Sequence, residues 1–120
     1  MGYRSDVKIL FSAKTKAEVD QFLVRMKIEE KLTDDMLSWC SEEQIGNGLG
    51  WLLSFESVKW YEDFEEVIAW TELMKQADVV SGMVCEFLRI GEEETDIEHE
   101  HYGVNEEDNL YIRRTVEVSF

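Results

Sequence analysis

Three groupings of residues in this chain could do chemistry. From Glu92 to Asp108, nine acids and no base fall within 17 residues: Glu92, Glu93, Glu94, Asp96, Glu98, Glu100, Glu106, Glu107 and Asp108. The chain's two histidines, His99 and His101, form a His-x-His pair inside that block. Gly46, Gly48 and Gly50 form Gly-x-Gly-x-Gly. Paired carboxylates can serve as general acid and base, but only in a concave site that separates their pKa values, and here acids abound without one pair standing out. Two imidazoles on one strand face, about 6–7 Å apart, can be two legs of a metal site, with a third ligand from Glu92–Glu94 or Glu106–Asp108. Zinc needs three or four converging ligands, so the expectation is solvent-facing histidines on a polar strand. The glycine run lacks the strand before it, the helix after it and the Lys-Ser/Thr of a phosphate loop, and reads as a turn into a strand. Cys40 and Cys85 sit in apolar strings and read as reduced core thiols. The chain is therefore expected to be non-enzymatic, with no metal and no cofactor.

The acids carry the functional expectation. On a strand, Asp96, Glu98 and Glu100 share one face at about 6.5–7 Å spacing, close to the phosphate repeat along one nucleic-acid strand. A second group, Glu62, Asp63, Glu65, Glu66 and Glu72, falls on a predicted helix over 62–76. Such a surface could occupy a basic groove that normally holds a nucleic-acid backbone, or it could be a solvated face that keeps a small protein in solution. The charge is unevenly placed: residues 33–112 hold 21 acids and 3 bases, whereas residues 1–32 hold 5 acids and 7 bases. The whole 120-residue chain has a net charge of −15 and a pI near 4.4, which argues against direct binding to nucleic acid or an anionic membrane.

The elements that must position these residues follow from periodicity. Tyr3 to Ser12 alternates as a strand. Thr15-Lys-Ala-Glu18 is a capping box, opening a helix to about Lys31 on the stripe Val19, Phe22, Leu23 and Met26. Thr33 suggests a second cap and a short helix through Met36, Leu37, Trp39 and Cys40. Leu49 to Trp60 reads as a strand whose alternation slips near Ser54–Ser57, the mark of a β-bulge. The 62–76 helix, opened by Glu62-Asp63-Phe-Glu-Glu66 with Asp63 three before Glu66 and acids suited to the first turn, buries Phe64, Val67, Ile68, Trp70 and Met74 and ends near Ala77. Three strands follow: 83–91, 95–102 and 110–120. In the last, Leu110, Ile112, Val116, Val118 and Phe120 share one parity, interrupted by Arg114. Short polar links predict an antiparallel meander. The order β-α-(α)-β-α-β-β-β predicts a single α+β domain over 1–120. Its sheet would be antiparallel-rich with two main helices on one face, a variant of the ferredoxin-like sandwich. Buried residues are expected to include Phe22, Met26, Val67, Ile68, Val116 and Val118.

The opening Met1-Gly-Tyr-Arg-Ser-Asp-Val7 resembles the start of many small proteins encoded by bacteriophages and prophages. The resemblance covers about seven residues and the pattern of a first strand followed by a capped helix. It implies a cytoplasmic accessory protein in an infected bacterium, of a kind that often blocks host machinery and sometimes imitates DNA. Together with the charge, this gives the expected function: binding and inhibiting a host nuclease or CRISPR effector through Glu92–Asp108 and Glu62–Glu66, as a monomer or homodimer. The alternative is a module that self-associates through the edge of strand 110–120, where Arg113 and Arg114 would guard against it.

Overall fold

The structure, a computed structural model, describes residues 2–93 and 95–103. Five strands and two long helices carry it: β1 (Ser5–Ser12), α1 (Lys16–Ile28), a one-turn α2 (Asp34–Leu37), β2 (Ser41–Ile45), β3 (Gly50–Val58), α3 (Glu65–Val79), β4 (Val84–Gly91) and β5 (Ile97–Tyr102). The sheet order is β2-β3-β1-β4-β5, antiparallel at every pairing. The first four strands with α1 and α3 follow the β-α-β-β-α-β path of a ferredoxin-like sandwich, and β5 adds a hairpin beside β4. The predicted α+β class is the observed one. The predicted strand at 110–120 lies outside the described residues, as do the burial expectations for Val116 and Val118.

β1 is central, and side chains on both its faces are buried: Val7, Ile9 and Phe11 on one, Leu10 on the other. The first face meets both helices. Phe11 packs between Phe22 of α1 and Trp51 of β3, at ring-centroid distances of 5.2 and 5.4 Å. Phe55 meets Trp70 of α3 edge-on at 5.1 Å. The opposite face carries a smaller cluster of Leu10, Leu52 and Leu88, rimmed by Ile45 and Leu49.

Local signals place the elements well. The Thr15 hydroxyl accepts the Glu18 N–H at 3.2 Å and donates to the Glu18 carboxylate at 3.0 Å, and Thr33 caps α2 by accepting from the Met36 N–H. The β-bulge is present: Ser5 pairs with Val58 but Val7 with Phe55, and Ser57 takes a φ of 51°. Its N–H donates to Asp6 Oδ1 at 2.8 Å, which fixes the bulge.

Three expectations need correction, and one strand had no counterpart in the sequence reading. The first helix stops at Ile28, because Glu30 adopts a φ of 60° and turns the chain. The second long helix begins at Glu65 with Phe64 as its cap residue and no side-chain cap, so Glu62 and Asp63 precede it. Ile68 is 46% exposed, since it lies one position off the buried stripe Val67, Trp70, Leu73, Met74 and Ala77. The residues before the glycines form β2, an exposed edge strand of sequence Ser-Glu-Glu-Gln-Ile. The glycine run itself behaves as predicted: Gly46–Gly48 make one 3₁₀ turn from β2 into β3, with Gly46, Asn47 and Gly48 all at positive φ.

Candidate functional site: an acidic cleft between α3 and the β4–β5 hairpin

The pleat decides which acids meet. On β4, Cys85, Phe87 and Arg89 point to the helix side, and the antiparallel register sets Arg89 opposite Glu98 and Phe87 opposite Glu100. Glu98 and Glu100 therefore lean toward α3. Between them lies a cleft of about 530 Å³, into which Glu62, Glu72, Asp96, Glu98 and Glu100 all project. Two acidic groups that are separate in sequence thus converge on one concavity. Its walls include Tyr3, Trp60 and Tyr61, with Lys75 and Arg89 as its cations.

The supposed row of three free carboxylates is not free. Arg89 donates to both oxygens of Asp96 at 2.8 and 3.1 Å, and to Glu98 Oε1 at 2.9 Å. The Tyr3 hydroxyl donates to Asp96 Oδ2 at 2.6 Å, and the Tyr102 hydroxyl to Glu100 Oε2 at 2.6 Å. Arg89 first, then Tyr3, hold the Asp96 carboxyl below its ordinary range. Burial and the Glu100 bond raise Tyr102, in that order. One guanidinium between two carboxylates leaves the three-acid stretch with less than its formal charge, and a phosphate-like repeat is not presented there.

The remaining acids occupy the surroundings. Asp63, Glu65 and Glu66 are exposed at the start of α3. Glu65 and Glu66 also border a second groove of about 410 Å³ toward α2, together with Asp35, Trp39 and Trp70. Glu72 has a long exposed pairing to Lys75 at 3.8 Å, which stabilises little. Glu92 accepts the Arg4 N–H at 2.6 Å, and the Glu93 N–H donates at 3.2 Å to the hydroxyl of Tyr3, a residue of the cleft wall, so the hairpin turn is tied to the N-terminal stretch. Glu94, Glu106, Glu107 and Asp108 lie outside the described residues.

The histidines do share one face, the one opposite α1 and α3, but they do not simply face solvent. Both turn onto Glu86, whose side chain is 2% exposed: His99 Nε2 lies 3.0 Å from Oε2 and His101 Nδ1 2.7 Å from Oε1. The register explains it, because Glu86 pairs with His101 and Leu88 with His99. A charged residue in the apolar run Met83–Leu88 was the signal that could have found this. Among the described residues no three His, Cys, Asp or Glu side chains converge to hold a metal. Cys40 and Cys85 are free thiols far apart in burial; burial, then Glu42, pushes Cys40 up to about 12, and burial, then Glu86 and Asp78, raises Cys85.

Sequence reasoning missed Arg89 and Tyr3, the two residues that organise the cleft's strand wall. Arg89 is one of only three bases between residues 33 and 112, and a lone base among so many acids is a hub for ion pairs. No protein-family model, no curated protein sequence and no solved structure matches the chain. Among the described residues no helix is long and apolar enough to cross a membrane.

Proposed function

We propose that this chain is a non-enzymatic binding protein that docks its acidic α3 face on the basic, nucleic-acid-binding groove of a protein partner. The convergence of Glu62 and Glu72 with Asp96, Glu98 and Glu100 around one cleft is the observation that carries this reading. Exposed Asp63, Glu65 and Glu66 continue the negative surface along the helix start. The centre of the docking face therefore shifts from the 96–100 strand to α3 and its preceding turn. A partner lysine or arginine entering the cleft would meet carboxylates and the rings of Trp60 and Tyr61, a setting that suits a cation. In the bacteriophage context that the opening residues imply, the partner is a host nuclease or CRISPR effector, and docking blocks its groove in the host cytoplasm. Charge complementarity of this kind speeds encounter and is weakened by salt.

The test is capture from bacterial lysate at low salt, followed by competition with duplex DNA. A nucleic-acid-binding protein released by DNA supports the reading. A captured protein that binds DNA and the acidic chain at the same time contradicts it, since the two would then not share a groove.

A further inference from the structure

The stretch before β1 crosses one end of the acidic cleft, and the register of the sheet puts it there. Ser5 opens β1 between Val58 of β3 and Gly91 of β4. Residues 2–4 therefore meet the two segments that leave those strands. One is residues 59–64, which lead into α3; the other is residues 92–96, which lead into β5. These segments contribute to different walls of the cleft: Tyr61 and Glu62 on the α3 side, Asp96 on the strand side.

Tyr3 joins the two. Its N–H donates to the Tyr61 hydroxyl at 2.6 Å, and its own hydroxyl donates to Asp96 Oδ2 at 2.6 Å. The same hydroxyl accepts the Glu93 N–H at 3.2 Å, so it works as donor and acceptor at once. Arg4 extends the attachment in both directions. Its N–H donates to Glu92 Oε2 at 2.6 Å, and its guanidinium donates to the Ser57 carbonyl at 2.8 Å. The stretch lies close against the α3 side: a Cβ on Gly2 would sit 2.7 Å from the Tyr61 hydroxyl oxygen. Residues 2–4 belong to no strand or helix. Tyr3 is thus attached through side chains and not through the ladder of the sheet, so its hydroxyl can be removed without unpairing a strand.

We propose that Tyr3 is a positioning residue of the docking cleft: it ties the α3-side wall to the strand wall and holds the cleft ready for a partner's cationic side chain. The proposal rests on the docking function given to the α3 face and adds what sets the geometry of that site. Walls held before encounter need no ordering during docking, which tightens the complex once formed. A neutral phenol adds nothing to long-range attraction. The acids therefore act on the rate of encounter, and Tyr3 acts on the rate of escape.

The test uses the full chain with Tyr3→Phe, which keeps the ring and removes the hydroxyl, and with Tyr61→Phe, which removes the acceptor of the Tyr3 N–H. Without any partner, carboxyl NMR titration of Tyr3→Phe should move the Asp96 midpoint up toward its ordinary value, since one of the two bonds that lower it is gone. The Glu93 amide should exchange with solvent at least about threefold faster. With the DNA-displaced partner, both variants should associate within about twofold of the wild type and dissociate at least about fivefold faster. The control is Thr15→Ala, which removes the α1 cap away from the cleft and should leave dissociation unchanged. An unmoved Asp96 midpoint in Tyr3→Phe overturns the proposal whether or not a partner is found. So does wild-type dissociation in both tyrosine variants, and so does equally fast dissociation in Thr15→Ala, which would make the effect one of general stability. Failure to capture a DNA-displaced partner counts against the docking function instead, and the Asp96 titration still decides whether Tyr3 holds the strand wall.

Discussion

Arg89 grips Asp96 in a two-pronged pair, Nη2 to Oδ1 at 2.8 Å and Nη1 to Oδ2 at 3.1 Å. This pair fastens the start of β5 to β4, and the same guanidinium reaches Ser5 Oγ on β1 at 3.0 Å, so one side chain links three neighbouring strands. It also sets a pH dependence. Asp96 is held below its ordinary range, first by Arg89 and then by Tyr3. A depressed carboxyl contributes stability that is whole above the unfolded value of about 3.9 and is lost as pH falls through the folded value. Thermal melts between pH 7 and pH 2 should therefore show a steeper acid-side loss for the wild type than for Asp96→Asn. Equal slopes would mean the pair contributes nothing in solution.

The histidine pair gives a prediction opposite to that for two solvent-facing residues. Replacing both His99 and His101 by alanine removes two hydrogen bonds from a buried carboxylate. Weakening the satisfaction of a buried charge costs about 1–3 kcal/mol, which lowers the melting temperature by several degrees in a domain of this size. A calorimetric shift below about 1 °C would refute the role given to Glu86.

The fold was legible where an element has buried residues and illegible where it has no buried face. α1 was readable because Val19, Phe22 and Met26 repeat at helical spacing and Thr15 caps them. β2 was not, because an exposed edge strand of Ser-Glu-Glu-Gln-Ile has no buried face to impose alternation. The bulge at Ser57 was visible as a change of phase, a local property. The partners of Asp96 and Glu98 were invisible because they depend on which strands become neighbours: Tyr3 is 93 positions from Asp96. The same holds for the cleft, which joins residues near 62 and near 98 only after β4 and β5 pair beside α3.

The helix stripe can be checked directly. Phe22 is 2% exposed and packs on Phe11. Phe22→Ala should cost about 3–5 kcal/mol in a denaturant melt, from lost burial and the cavity left behind. A cost below about 1 kcal/mol would mean that α1 does not press on the sheet as described.

The two thiols should be poor nucleophiles. Cys40 is pushed up to about 12 by burial and by Glu42, and Cys85 is raised by burial. At pH 8 the native protein should react with a thiol reagent at least about tenfold more slowly than the same protein in denaturant, since thiolate is the reacting form. Native labelling as fast as denatured labelling would contradict the enclosure of both.

The acids around α3 are proposed here as a docking face. Its most direct measurement is the association rate between the chain and the DNA-displaced partner, for the wild type and for a variant carrying Glu62→Gln, Glu65→Gln, Glu66→Gln and Glu72→Gln. The control is Glu43→Gln with Glu56→Gln, exposed acids on β2 and the bulge. The expected result is an association rate at least about tenfold lower for the fourfold variant at about 50 mM salt, a flatter dependence up to about 300 mM, and no change for the control. A fourfold variant that associates like the wild type at both salt concentrations would contradict it.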